Sequence, residues 1–360
     1  MSATLQALGL DSSTAEFLQS VPEDLVPGRV ARVDKGLATV FTEDGPVRAS
    51  WSGALLAEIA ADAQAGPCTG DWVVLRFWPD DRITLESVLP RRTTIVRAEV
   101  GGSSRGQVLA SNVDVIAIVV GLVPEPNIVR IERFLALAWE SGARPVVVLT
   151  KSDLVGDAES VAEDVAVAAP GADVLVCSAT TGAGMGDVRA LLRGSEDLGN
   201  ATLALLGSSG AGKSSLVNAL AGVELLDVQD IREDGKGRHT SVRRELIALP
   251  QGGVVIDTPG LRGIGLQESG EGLAAAFPDI TALADQCKFK DCSHVMEPGC
   301  AVQAALEDGS LPYRRYDSWV KLRREAAYMA RRADIRLRTE AKKERVRVSK
   351  SYRRDYKPRP

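Results

Sequence analysis

Residues 207–215 read GSSGAGKSS, directly after the apolar run ATLALL at 201–206. Gly207, Gly212, Lys213 and Ser214 satisfy G-x-x-x-x-G-K-[ST], and the match follows a strand-like run and opens a helix-like one, as its mechanism requires. Glycines let backbone N–H groups close around phosphate oxygens, and the helix N-terminus adds a favourable dipole. Lys213 neutralises β- and γ-phosphate charge, and the Ser214 hydroxyl is placed to ligate Mg²⁺. The candidate nucleotide contacts are therefore Gly207, Ser208, Ser209, Gly210, Ala211, Gly212, Lys213, Ser214 and Ser215.

Working outward, strands and helices alternate from about Asn112 to Leu266, which predicts a parallel sheet covered on both faces. The strand candidates are VDVIAIVV, RPVVVLT, ADVLVCS, ATLALLG and GGVVIDT; helical periodicity fits NIVRIERFLALAWES, DAESVAEDVAVAAP, GMGDVRALLRG and GKSSLVNALAG. Before this region, from about Val26 to Arg97, short β-rich stretches broken by Gly, Pro and Asp at hairpin spacing predict a small antiparallel barrel. An OB-type barrel is the natural candidate, and an SH3-like one stays open. The predicted organisation is an N-terminal extension (1–25), an OB-type barrel (26–97), a P-loop α/β domain (98–280), a metal-binding, mainly helical domain (281–333) and a basic tail (334–360).

Asp257 in VVIDTPG ends an apolar strand candidate, the position from which a carboxylate holds Mg²⁺ in P-loop enzymes, and the Gly260 N–H is then available to the γ-phosphate. The choice of base rests on TKSD at 150–153, at the end of RPVVVL. A carboxylate accepts from guanine N1–H and N2–H₂ together, and adenine has no such donor pair, so Asp153 argues for GTP over ATP. Lys151 packs beside the base in this reading, with Ser178 and Ala179 of CSA ending the next strand. Thr150 stands where guanine-binding loops commonly carry Asn; its hydroxyl offers fewer donors, so affinity should weaken while Asp153 keeps the specificity.

The chain has 360 residues, of which 45% are apolar and 25% charged, with a net charge of −5. That composition fits a soluble globular protein of two or three domains. MSATLQALGLDSST has neither the basic start nor the apolar core of a signal peptide, and VDVIAIVVGLV is far too short to cross a bilayer. A cytoplasmic protein without membrane contact is expected. Leu311 to Pro360 carry 18 Lys plus Arg against 6 Asp plus Glu, a local +12 that leaves −17 for residues 1–310. Such a basic segment on an acidic body points to a polyanion, with nucleic acid the commonest. Three of the five cysteines crowd together: Cys287, four residues, Cys292, one residue, His294, five residues, Cys300. Three thiolates and an imidazole complete a tetrahedral Zn²⁺ shell with no open position, which makes the site structural. Cys68 and Cys177 have no metal-type spacing.

The order TKSD, CSA, P-loop, GRHT and DTPG resembles the circularly permuted GTPases, and the full pattern, from about Gly28 to Leu322 and including KFKDCSHVMEPGCAV, resembles the RsgA family of small-ribosomal-subunit-dependent GTPases. Termini of compact domains often lie close together, so joining them and cutting elsewhere preserves the sheet. The resemblance implies that GTP is hydrolysed to GDP, with stimulation by the small ribosomal subunit during its late maturation. It also implies rRNA contacts from both flanking domains and a monomeric protein. Thr240 would ligate Mg²⁺ in the GTP state and His239 would position the attacking water, because Leu261 stands where many GTPases carry the glutamine that does so. Only some 25 residues separate Asp257–Gly260 from the cysteines, so this segment is expected to couple nucleotide state to the C-terminal domain. Two other readings remain: a GTP-gated RNA-binding assembly factor whose slow hydrolysis only resets binding, and a P-loop ATPase acting on RNA.

Overall fold

The computed structural model describes residues 3–97, 107–194, 200–226, 244–257, 270–328 and 339. His239, Thr240, Gly260, Leu261 and nearly all of the basic tail lie outside these residues. Two short helices, α1 (Ala3–Ala7) and α2 (Ser12–Gln19), precede a barrel. Strands β1 (Val26–Asp34), β2 (Leu37–Thr42) and β3 (Gly45–Trp51) form a meander, α3 (Gly53–Ala61) follows, and β4 (Trp72–Phe77) and β5 (Ile83–Val88) close it in the order β1-β2-β3-β5-β4. A helix between the third and fourth strands, with β3 and β5 parallel at Ser50↔Thr84, gives the closed five-stranded OB-type barrel rather than the SH3-like alternative. Val30, Val40, Val73, Leu75 and Leu85 fill its interior, and Leu55 of α3 joins them.

A hairpin of β6 (Thr94–Arg97) and β7 (Gln107–Ser111) leads into the second sheet. That sheet contains β8 (Val115–Gly121), β9 (Arg144–Thr150), β10 (Asp173–Val176), β11 (Thr202–Leu206), β12 (Glu245–Ala248) and β13 (Val254–Asp257). Its order is β10-β9-β8-β11-β13-β12, parallel throughout except for β12 at one edge. Near-continuous burial along β8, β9 and β11 is what helices on both faces demand. The covering helices are α4 (Ile128–Glu140), α5 (Ala158–Ala168), α6 (Met185–Ala190) and α7 (Lys213–Ala221). After β8 the chain winds to one side through β9 and β10, and after β11 it continues on the other. The crevice beyond the C-terminal ends of β8 and β11 is therefore the switch point, where ligands of open α/β sheets bind.

The C-terminal part has α8 (Glu271–Ala276), α9 (Pro278–Ala284), α10 (Ala301–Glu307) and a further helix, α11, whose described residues are 313–328. Helix α8 lies hard against α4: a Cβ on Gly272 would sit 2.3 Å from the Ala136 carbonyl oxygen, and the Gly272 N–H donates to Glu140 Oε2 at 2.9 Å. Arg315 of α11 is buried beside it. Its guanidinium donates to Glu132 of α4 at 3.1 Å and to both carboxylate oxygens of Asp279 in α9, and it covers the Phe277 ring at 4.7 Å. Among the described residues no helix is long and apolar enough to cross a membrane.

The N-terminal residues are not a loose extension. Leu5, Leu8, Leu10 and Ala15 belong to the same apolar cluster as Trp72 of the barrel and Ile116 of the central sheet. Arg29 of β1, with no exposed surface, donates to the carbonyls of Leu8, of Gly70 at 3.2 Å and of Asn112 at 3.0 Å, so one cation ties helix, barrel and sheet together. Burial lowers its pKa to about 10.

Candidate functional site

The loop between β11 and α7 has the shape its glycines predict. Gly210 and Gly212 sit at φ +80° and +91°, in the left-handed region that L side chains rarely adopt. Gly207 is required for a different reason: a Cβ there would stand 2.3 Å from the Val119 carbonyl oxygen of β8. No side chain caps α7, which leaves its first N–H groups facing the crevice. Lys213 arches back over the loop, its Nζ donating to the carbonyls of Gly207 at 3.0 Å and Ser208 at 2.9 Å. Ser214 follows in the first turn of α7, and Asp257 ends β13 opposite Leu205 of β11, the strand that leads into the loop.

The TKSD segment sits at the C-terminal end of β9, on the far side of β8 from the phosphate loop. Lys151 adopts φ +64° and begins a 3₁₀ turn over Ser152–Leu154; its aliphatic stem lies 3.6 Å from the position a Cβ would take on Gly121. Asp153 is exposed, and its Oδ1 accepts from the buried Ser178 hydroxyl at 2.6 Å. Ser178 in turn donates its N–H to the Ala183 carbonyl, so the CSA segment holds the Asp153 carboxylate in position. Ala179 follows Ser178 in the turn after β10. Burial pushes the adjacent Cys177 thiol up to about 11, which makes it an inert packing group.

Thr150 is placed differently from the base-edge role considered for it. It is buried, and its hydroxyl donates to the Ala211 carbonyl at 2.6 Å, inside the phosphate loop. Thr150 therefore joins the two nucleotide loops directly. Asn218 is a residue the sequence reading missed: its Oδ1 accepts from the N–H groups of Leu225 and Leu226, and its Nδ2 donates to the Leu226 carbonyl. It fixes the chain as it leaves α7 towards residues 227–243. A lone amide inside an apolar helical pattern was the only sequence signal for it.

Ligand atoms of Cys287, Cys292, His294 and Cys300 all lie within 4.8 Å of one another and can hold one metal ion. His294 Nδ1 is 3.5 Å from Cys287 Sγ and 3.6 Å from Cys300 Sγ, and the two sulfurs are 3.8 Å apart. The backbone is built to converge there. His294 takes φ +62°, and its carbonyl accepts from Gln303 Nε2 and from the Tyr316 hydroxyl, both at 2.6 Å. Cys300 is the N-cap of α10. Burial acts against a thiolate at Cys287, but the Ala301 and Val302 N–H groups of the same helix outweigh it and bring the pKa down. Burial, then the nearby Arg323 charge, lowers the His294 pKa and keeps the imidazole neutral, the form that binds metal. Burial and two neighbouring thiols push Cys292 up to about 11, a value a bound cation would reverse.

Known proteins are similar to this chain over most of its length. The model of the family described as RsgA GTPase matches residues 88–267. A relative from Streptomyces coelicolor, named small ribosomal subunit biogenesis GTPase RsgA, is 48% identical over 347 residues, covering 95% of this chain and 92% of its own length. One of the same name from Opitutus terrae is 44% identical, covering 97% and 96%. The crystal structure of YjeQ from Thermotoga maritima superposes with a TM-score of 0.62 at 27% identity, over 84% of this chain and 99% of that one. YloQ, described as a circularly permuted GTPase, gives a TM-score of 0.58 at 27% identity, over 85% and 96%. A family match over residues 88–267 and relatives 48% and 44% identical over nearly the whole chain agree, and this chain belongs to the RsgA GTPase family.

Proposed function

We propose that the protein is a cytoplasmic, monomeric GTP hydrolase that acts on the small ribosomal subunit during its late maturation. The observation that carries the reading is the Thr150–Ala211 hydrogen bond: the guanine-reading loop and the phosphate loop are joined at one end of one sheet, so base and phosphates are gripped by a single rigid frame. Asp153, steadied by Ser178, reads guanine N1–H and N2–H₂, while Lys151 and Ala179 line the base. Gly207 to Ser215 cradle the phosphates, and Lys213 leaves its carbonyl partners to meet the β- and γ-phosphate charge. The first turn of α7 offers the hydroxyl of Ser214 and the end of β13 the carboxylate of Asp257, hard oxygen donors suited to Mg²⁺, with Thr240 as a third donor in the GTP state. Mg²⁺, when bound, supplies positive charge that offsets the charge developing on the phosphate oxygens. Gly260 donates its N–H to the γ-phosphate and His239 orients the attacking water. The sulfurs of a tetrahedral zinc site lie about 3.8 Å apart, given Zn–S bonds of about 2.3 Å; the Cys287–Cys300 separation of 3.8 Å supports Zn²⁺ as the ion in the cluster. That site is closed and structural. The basic C-terminal segment supplies rRNA contacts.

The test is phosphate release from GTP and from ATP, with and without purified small ribosomal subunits. Strong stimulation by subunits with GTP alone is expected. Slow turnover indifferent to subunits would turn the reading towards a binding switch, and equal turnover of ATP would remove the guanine assignment.

A further inference from the structure

The register of the barrel brings three chain segments to one end. Val26 pairs with Leu75 and Phe41 with Pro46, so the start of β1, the β2–β3 turn and the β4–β5 turn form a common rim. The β4–β5 turn reads FWPDDR at 77–82, and its aromatic pair faces outward: Phe77 is 48% and Trp78 40% exposed. Trp78 is nonetheless held in place. Its Nε1 donates to Thr84 Oγ1 at 2.8 Å, its N–H donates to the Arg82 carbonyl, and the guanidinium groups of Arg82 and Arg76 lie 5.1 and 5.7 Å from its ring centroid. A fixed, solvent-facing indole beside a second aromatic is the composition of an interface anchor. The β4–β5 turn of OB-type barrels is a common ligand loop, with oligonucleotides among its usual ligands.

Charge decides the partner. The same rim carries Glu23, Asp24, Glu43, Asp44, Asp80 and Asp81, all exposed. Its two arginines are already engaged, Arg76 with Asp24 and Arg82 with Asp80. A nucleic-acid strand stacking on Trp78 would bring its phosphates against unmatched carboxylates. A cationic partner gains from both features, since the indole face already attracts two guanidinium groups and the rim leaves negative charge to spare. We propose that the Phe77–Trp78 rim is a docking surface for an Arg- or Lys-rich polypeptide segment of a partner protein, and that the barrel's nucleic-acid contacts lie elsewhere on it. This goes beyond the GTP-hydrolase reading and does not depend on it.

The probes are a short fluorescein-labelled peptide of alternating Arg and Ala and a labelled oligouridylate, each titrated by anisotropy into the full-length protein. Three variants are compared with the parent: Trp78→Ala; a rim triple Glu43→Gln, Asp44→Asn, Asp81→Asn; and a control triple Glu159→Gln, Glu163→Gln, Asp164→Asn on α5, which removes the same charge. Thermal unfolding of each variant shows that the barrel stays folded, and the rim triple keeps the test alive if Trp78→Ala does not fold. Peptide affinity should drop on the order of thirtyfold for Trp78→Ala, as for a truncated interface anchor, and about tenfold for the rim triple, with the control triple close to the parent. Oligouridylate binding should be unchanged in all three. Equal losses in both triples would overturn the proposal, because attraction would then be to net charge alone. Loss of oligouridylate binding in Trp78→Ala would make the rim a nucleic-acid surface instead. Peptide binding that emerges only after deletion of 334–360 would assign the rim to the chain's own tail rather than to a partner.

Discussion

The nucleotide sheet is flanked by two modules attached in physically different ways. On the amino-terminal side the join is buried and ionic, and it meets the sheet where its strands begin. Asp114, just before β8, accepts from the Thr202 N–H at the start of β11 and pairs with Arg92, while Arg29 reaches Asn112. Asp71, fully buried, pairs with Arg91 and accepts from Ser111 of β7. That end of the sheet lies opposite the nucleotide crevice. On the carboxy-terminal side the module rests on α4, and α8 follows Asp257 after a short segment that includes Gly260. One flank is thus locked to the end of the sheet opposite the crevice, and the other continues from β13, the strand that ends in Asp257 at the crevice. The difference teaches where to look for transmitted movement: the proposed coupling runs through the C-terminal module and not through the barrel.

Removing the metal should separate the flanks most sharply. Structural zinc contributes about 10–16 kcal/mol in isolated zinc-finger peptides, and the loop around His294 has little apolar core of its own. Stripping the ion with a chelator should abolish slow hydrogen exchange across 285–303 while the barrel and parallel sheet keep theirs. Loss of protection in the barrel as well would show that the two flanks are one cooperative unit.

The amino-terminal lock is next in size. Arg29→Leu leaves the carbonyls of Leu8, Gly70 and Asn112 without their buried cation and should destabilise the protein by about 3–5 kcal/mol, read from denaturant unfolding. The loss should be the same with GDP and with a non-hydrolysable GTP analogue, if this flank is indifferent to nucleotide. A nucleotide-dependent loss would break the contrast from the other side.

The two joins also differed in how far the sequence disclosed them. Gly207 to Ser214, TKSD and the cysteine spacing were legible because their chemistry requires fixed residue types at fixed local intervals. Barrel strands were legible from alternation, but OB and SH3-like arrangements separated only when β3 was seen parallel to β5, a pairing across more than thirty residues. Arg29 and Asp71 gave no signal: one is a charged residue within a strand and the other sits just before one, where a solvated face is the ordinary reading, and only the tertiary fold buries them. The donor count of Thr150 was legible, but its hydrogen bond to Ala211 was not, because that carbonyl comes near only in the tertiary fold. β12 escaped for another reason, being a four-residue edge strand with an exposed end.

The carboxy-terminal latch is weaker than the lock. Glu132 accepts from Arg314 and Arg315 through Oε1, while its buried Oε2 has no hydrogen-bond partner among the described residues, and Arg315 keeps Asp279 if Glu132 is neutralised. Glu132→Gln should therefore cost about 1–2 kcal/mol. Its diagnostic effect is on coupling: hydrogen exchange across 271–322 should differ between GDP and the GTP analogue, and more so in the variant. Identical exchange in both nucleotide states would rule the coupling out.

The smallest effect tests whether the lock is ionic. Asp11 is buried, caps α2 by accepting from the Thr14 N–H at 2.7 Å, and pairs with Arg92 at 2.8 Å. Burial alone would raise its pKa, yet the Thr14 and Ser13 hydrogen bonds and the Arg92 charge bring it below the ordinary carboxylate value. A pKa lower folded than unfolded means that the ionised form favours the fold. Its contribution is thus complete above the unfolded value of about 3.9 and is lost as pH falls through it towards the folded one. Asp11→Asn keeps the cap oxygen and loses the charge, so it should lower stability by about 0.5–1 kcal/mol at neutral pH. The gap between parent and variant should close as pH drops from about 5 to below the folded value. Acid also protonates the metal thiolates, so release of the ion must be followed in the same titration to separate the two flanks. A gap that persists undiminished in acid would mean that the amino-terminal lock holds by shape and hydrogen bonding rather than by charge.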